Sequence, residues 1–329
     1  MPKVRINRFL LAISLPSPRS HRKTPAGLIA TISNQGFAVP LPDRITATLL
    51  LARPAVADAP GLRVHLNEVL GPSGMYFDQF PARHGTTLSA RGLTLELRER
   101  DLPMPRARLD RALASGLPDM LHEDWAGLVA RHRAAISMEL RRVPITERRT
   151  RGLDADGNEA PPPNEREAVD LMLMAGHIAA SWIAQSTRPL AVHWGQSDRI
   201  FPAARFRAME GMLFPLPLYL HPYPVGEQPE DRQILPELEF VGAPQLIGHR
   251  LRTAPARVRF DWMMKRVLAF VAHARANDSI LAEGSVFGLE DGESISVRRT
   301  PDGGVGLVLE ERNNMPVARG GERYFHHVA

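Results

Sequence analysis

His193, Trp194, Gln196, Ser197, Asp198 and Arg199 fall almost side by side in the stretch AVHWGQSDRIFP. A histidine five positions before an aspartate is a combination that can move protons, with His193 as the base and Asp198 orienting it. A tryptophan, a glutamine and an arginine beside them could hold a peptide or a small ligand. These residues, His193, Trp194, Gln196, Asp198 and Arg199, are the candidate binding set. A hydrolase-like reaction would further need His177 or Glu293 to converge on the same concave pocket. The plainer alternative has Trp194 anchoring a strand end and Asp198 hydrogen-bonding its own turn. No catalytic residue is assigned.

Other chemistry is poorly represented. The chain of 329 residues has no cysteine, which excludes disulfides, thiolate metal sites and a cysteine nucleophile. There is no G-x-S-x-G, H-E-x-x-H or S-x-x-K with its partners. The glycine-rich pieces GPSGMY and RGGE are not followed by a phosphate-binding helix, so no nucleotide site is read. DADGNE puts Asp154, Asp156 and Asn158 at alternating positions, as a calcium loop does. However, Gly157 falls at the fourth position where the sixth is required, and the segment reads as a solvated turn. His122 and His132 flank an apolar helical stretch without sharing a face, and His177 sits alone on an apolar helix. No metal and no cofactor is expected.

The elements that must position the candidate set follow from periodicity. A broad apolar face at helical spacing (Val169, Met172, Ala175, Ile178, Ala179, Trp182, Ile183) predicts a long helix just before it. Residues 189–193 then read as a buried strand, 194–200 as an irregular polar loop, and Pro202 as the start of a new helix. Upstream, 44–52 is a strand, 60–70 a helix, 85–98 a hairpin, 105–114 and 117–133 helices, and 135–141 a strand. Downstream, 216–221, 238–241 and 245–251 read as strands and 260–274 as an amphipathic helix. A closing hairpin spans 294–299 and 306–310 around Pro301-Asp302-Gly303-Gly304. Interspersed helices with frequent hairpins predict an α+β fold. Its sheets would be mixed and largely antiparallel, with packed helices, in two similar-sized α/β halves. The expected boundaries are a basic Pro/Ser-rich arm at 1–43, one half at 44–141, a charged Pro-rich linker at 142–166, a second half at 167–312 and a tail at 313–329.

The formal charge is +5. Lys3, Arg5, Arg8, Arg19, Arg22 and Lys23 lie in the first 23 residues without an acid, so the remaining body is near neutral. That argues against a basic nucleic-acid surface on the folded part. Lysine occurs only at 3, 23 and 265, which with abundant Ala and Pro reads as GC-rich bacterial coding. No run reaches the roughly 18 apolar residues of a membrane span. Phe9 to Ile13 beside basic residues is a faint signal-like pattern, interrupted by Pro16 and Pro18. A cytoplasmic protein is expected.

From His193-Trp194-Gly195 onward, PLAVHWGQSDRIFPAARF resembles the A-V-x-W-G segment and Pro-led helix of the bacterial domain-of-unknown-function family 4261. ILAEGSVFGLEDGESISVRR resembles that family's closing stretch, DWAGLVARHRAAISMEL its central tryptophan-helix-histidine-strand segment, and ITATLLLARP its opening strand. The matches keep their order over about residues 44–312. The basic arm, the Pro-rich linker and the tail depart from the pattern. The resemblance implies a soluble bacterial α/β protein whose relatives neighbour secreted toxins as accessory or immunity proteins. It transfers no catalytic residue.

The leading expectation is therefore a non-enzymatic protein-interaction module whose partner is another protein, a toxin or secretion component among the candidates. The alternative is a small-ligand-binding or hydrolase-like enzyme with its site at the His193–Asp198 loop. Nucleic-acid contact through residues 1–23 ranks below both.

Overall fold

The computed structural model describes residues 44–81, 85–90, 92–121, 123–143, 165–212, 214–227, 229–231, 233–290 and 293–309. The arm at 1–43, the DADGNE turn, His122 and the tail at 313–329 lie outside the described residues. In chain order, β1 (Arg44–Leu51) leads to α1 (Ala59–Leu70), β2 (Asp78–Pro81), β3 (Thr86–Ala90) and β4 (Leu93–Arg100). Three short helices follow, α2 (Asp110–Leu113), α3 (Leu117–Leu121) and α4 (Trp125–Arg131), then β5 (Ala134–Arg142). The long helix α5 (Glu165–Thr187) precedes β6 (Ala191–Trp194), β7 (Arg199–Pro202), α6 (Ala203–Arg207) and α7 (Leu216–Tyr219). Next come β8 (His221–Pro224), β9 (Leu238–Val241), α8 (Ala243–Ile247) and β10 (Leu251–Thr253). The last elements are α9 (Phe260–Asn277), β11 (Val286–Phe287), β12 (Ile295–Arg299) and β13 (Val305–Leu309).

These strands form two sheets. The seven-stranded sheet runs β2-β3-β4-β5-β1-β6-β7, with every neighbouring pair antiparallel. The six-stranded sheet runs β11-β12-β13-β10-β9-β8 and contains a single parallel pair, β10 with β13. The fold is α+β with mixed, largely antiparallel sheets, as the alternation of hairpins and helices predicts. β1 explains the first sheet's layering. Its residues Ile45, Ala47, Leu49 and Leu51 face the core shared with α5, while Leu50 points the other way into a smaller cluster with Trp125 and Ile200. Thr46 and Thr48 share that second side, Thr48 buried and Thr46 half-buried.

Helix α5 packs on the sheet at Gly176, where a β-carbon would meet Trp194, Ile45 and Leu140 at 3.5–3.9 Å, in ordinary van der Waals contact. Helix α9 buries Met263, Arg266, Val267, Phe270, Val271 and Ala274 at helical spacing. Arg275 of α9 binds both carboxylate oxygens of Asp170 of α5 at 2.8 Å, tying the two helices together. One continuous apolar cluster includes Leu49 and Trp194 from the first sheet and Phe240 and Leu307 from the second.

Several elements differ from expectation. The segment at 142–166 does not divide the sheets, because β6 from beyond it pairs with β1, Ala47 opposite Trp194. Residues 216–221 are not one strand. Pro217 falls in the first turn of the one-turn helix α7, where a missing N–H is harmless, and extended structure begins only at His221. Residues 245–251 are not one strand: 245–247 end α8, which is opened by Pro244 and closed by Gly248 in the left-handed region at φ 73°, and extended structure begins only at Leu251. The helix expected over 117–133 is two helices, because the Asp124 side chain caps α4 by accepting from Gly127 N at 2.7 Å. The loop at 194–200 is the turn of a regular hairpin. Strands β2, β7 and β11 were not foreseen.

Candidate functional site

The β6–β7 hairpin is built for a tight turn at Gly195–Asp198. Trp194 lies opposite Arg199 and His193 opposite Ile200. Gly195 donates its N–H to Thr46 O at 2.8 Å, and a β-carbon on it would sit 2.0 Å from Thr46 Oγ1. Glycine is required there by the close approach of β1. Asp198 takes a left-handed conformation at φ 48°, which aspartate tolerates better than most residues. Its N–H reaches Gly195 O at 3.3 Å. Asp198 thus closes the turn immediately before β7, where Ile200 pairs with His193.

That geometry brings two of the candidate residues together. His193 Nε2 lies 2.9 Å from Asp198 Oδ1. The other carboxylate oxygen faces Arg111 Nε of α2 at 3.4 Å. Burial, the largest influence on Asp198, works to raise its pKa. The His193 hydrogen bond and charge, with the charge of Arg111, outweigh it and hold the carboxyl below its ordinary value. The Arg111 guanidinium lies 5.3 Å over the ring of Tyr223, whose hydroxyl donates to the Arg111 carbonyl. Tyr223 in turn stacks on His221 at 4.7 Å. Burial raises Tyr223, and the negative charge of Asp198 adds to it.

The remaining candidates turn inward. Trp194 is fully buried and meets Tyr219 edge-on at 5.8 Å, a core contact. Both polar atoms of the Gln196 amide are buried without partners, with Nε2 beside Gly242. Arg199 is buried against Phe201, with its guanidinium 4.4 Å over the ring and Nη1 donating to Pro217 O at 3.3 Å. Burial lowers Arg199 to about 10, with the nearby charge of Glu123 opposing the drop and that of Arg205 adding to it. Glu123 accepts from Trp125 Nε1 at 2.6 Å and pairs with Arg205. Ser197 Oγ donates to Leu218 O at 2.8 Å. His221 is driven by burial, and by the charge of Arg199, to about 3, so it is neutral at physiological pH. Its two ring nitrogens close no hydrogen bond, although the backbone of Ser197 and Asp198 is near enough to favour a proton. The net effect is a polar joint between β7, the edge of one sheet, and β8, the edge of the other.

His177 and Glu293 do not join this joint. His177 lies in the middle of α5 with Nε2 3.2 Å from Ser181 Oγ and Phe206 edge-on at 5.9 Å. Glu293 is paired with Arg266 of α9. His132 is a structural residue, with Nε2 accepting from Met104 N at 2.8 Å. Among the described residues, no group of three or more His, Asp or Glu is gathered as a metal ion would need. No helix among them is long and apolar enough to cross a membrane.

No family model, characterised protein or solved structure matches this chain. The site must be read from its own geometry. Arg111, Tyr223, His221, Glu123 and Arg205 were not among the candidate site residues. All but Arg205 lie far from His193 in the chain, and no local spacing marks them. The one available signal was Tyr223 in the proline-flanked HPYP, where rigid backbone presents an aromatic.

Proposed function

We propose that the chain is a non-enzymatic protein-interaction module whose contact surface centres on Arg111 and Tyr223, above the His193–Asp198 turn. The observation that carries this reading is the state of Arg111. Its side chain is 68% exposed, yet it is held by an ion pair at 3.4 Å to Asp198 and by the ring of Tyr223 beneath it. An exposed arginine already fixed in place loses little further freedom on binding, and arginine and tyrosine are the residue types that anchor interfaces. Ser197 and Arg199 of the joint donate to the backbone carbonyls of Leu218 and Pro217, which supports a scaffold role for them. The resemblance to the domain-of-unknown-function family 4261 belongs to the same proposal. With it come a bacterial source, action in the cytoplasm and a toxin or secretion component as partner.

The test is affinity purification of tagged wild type and Arg111→Glu from the native host, with mass spectrometry of what is retained. The expected result is one stoichiometric partner, lost in Arg111→Glu and kept in Val286→Ala, an exposed position on β11 at the opposite edge of the second sheet from β8. Equal retention by Arg111→Glu overturns the placement of the surface; absence of any specific partner overturns the module.

A second reading is favoured by the 2.9 Å contact of His193 with Asp198, which is the orienting half of a hydrolytic site. It predicts slow turnover of p-nitrophenyl esters by wild type, abolished in His193→Ala. Wild type without turnover above the buffer rate ends that reading.

A further inference from the structure

Among the described residues the two sheets present four edges, and three of them carry proline. β2 ends at Pro81, β7 ends at Pro202, and β8 holds Pro222 and Pro224. Proline has no N–H to offer an incoming strand, and an edge blunted in this way resists pairing. The fourth edge, β11, has none.

The register of β11 shows which of its backbone groups are open. Gly284, in the left-handed region at φ 81°, donates its N–H to Val297 O at 2.8 Å, and Ser285 O accepts from Val297 N at 2.9 Å. Two residues thus oppose one, a bulge that sets the phase of the ladder. Antiparallel partners alternate between bonded and unbonded pairs. Phe287 opposite Ile295 is therefore bonded, and Val286 opposite Ser296 is not. The N–H and C=O of Val286 point away from β12 into the open edge. Its side chain is 58% exposed, and that of Leu289 just beyond is 40% exposed. Free backbone beside exposed aliphatic side chains, with no proline or charge in the strand, is the pattern that invites a further strand.

We propose that β11 pairs with β11 of a second copy of this chain across a two-fold axis, joining the two six-stranded sheets edge to edge. The stretch is self-complementary about Val286. An antiparallel pair centred there gives two reciprocal N–H···O=C bonds between the valines and sets one valine side chain against the other. Gly284 then lies opposite Gly288 of the second copy, where neither has a side chain to clash, and Glu283 lies opposite Leu289 rather than another acid. This contact is separate from the Arg111 surface, which adjoins β8 at the other edge of the same sheet.

The experiment is sedimentation equilibrium of the full chain over rising concentration, which should show a 36.5 kDa monomer in exchange with its dimer. Val286→Pro removes the outward N–H, and Val286→Lys places two ammonium groups on the axis. Each should weaken association about tenfold or more, with circular dichroism confirming the fold. Val286→Ala keeps both backbone groups and should still dimerise. The chain has no cysteine, so Val286→Cys treated with a short bis-maleimide should cross-link to a dimer, and Val64→Cys, also exposed but on α1, should not. Wild type that stays monomeric at every concentration overturns the proposal and leaves the edge to a strand of another protein. A dimer that survives both Val286→Pro and Val286→Lys overturns it by placing the interface elsewhere. A dimer in which Val286→Cys does not cross-link overturns the register.

Discussion

Gly195 shows how one residue can be required by a neighbour rather than by its own torsions. The β-carbon of an alanine there would lie 2.0 Å from Thr46 Oγ1 and 3.2 Å from Thr46 O. Gly195→Ala is expected to destabilise the protein by about 1–3 kcal/mol through overpacking. Removing the obstructing hydroxyl should relieve much of this, so Gly195→Ala with Thr46→Ala should be more stable than the sum of the two single changes implies. Urea unfolding of the four proteins checks the coupling, and strict additivity would refute the steric account. The same scale limits what the sequence could disclose. His193 and Asp198 were legible because a strand, a tight turn and a short-range contact lie within one local stretch. Trp194 and Arg199 were placed in the same candidate set but are core residues, because strand alternation sends them to the other face. That face could be assigned only once β1 was known to pair with β6.

At the scale of elements, the loop after β11 depends on a buried charge. Arg266 and Glu293 have side chains 3% exposed each. Arg266 stacks over Trp262 at 4.2 Å, Trp262 Nε1 donates to Glu293 at 3.2 Å, and Glu293 also accepts from Leu289 N at 2.9 Å. Glu293→Ala leaves the buried Arg266 guanidinium with only the exposed Glu290, 3.1 Å away, as a carboxylate partner, and a loss of about 3–5 kcal/mol is expected. Thermal and chemical unfolding would measure it; a loss under about 1 kcal/mol would mean that Glu290 alone suffices as the partner. Elements such as β1, the β3–β4 hairpin, α5 and α9 were legible because their apolar periodicity persists over several turns or pleats. Helices α7 and α8 were not. Each is a single proline-opened turn whose burial, Leu218 and Tyr219 in one and Ala243 and Leu246 in the other, comes from tertiary packing.

At the scale of the molecule, the shared core makes buried histidines a common acid liability. Burial lowers His177 to about 4 and His221 to about 3, from an ordinary 6.5. Above pH 6.5 both rings are neutral in the folded and unfolded chain and contribute nothing to the pH dependence. As pH falls below that value, the unfolded chain takes up protons that the folded chain refuses, so stability declines until each folded pKa is reached. His177→Gln should flatten this decline by about 2–3 kcal/mol between pH 7 and pH 4.5. Urea unfolding at the two pH values tests it, and an unchanged difference between wild type and variant would show that His177 is protonated without penalty.

The position of β1 also bears on how the chain is made. It is the first described strand, yet its two neighbours are β5 and β6, and the second of these is completed only at Trp194. A ribosome adding about 5–20 residues per second leaves one hydrogen-bonding edge of RITATLLL open for many seconds after that strand has emerged. During that interval a nascent chain presents an apolar edge strand, the kind of template that captures other chains. An interior strand of the mature sheet is thus the most hazardous edge of the unfinished one, and a chain interrupted before β6 would carry that hazard permanently.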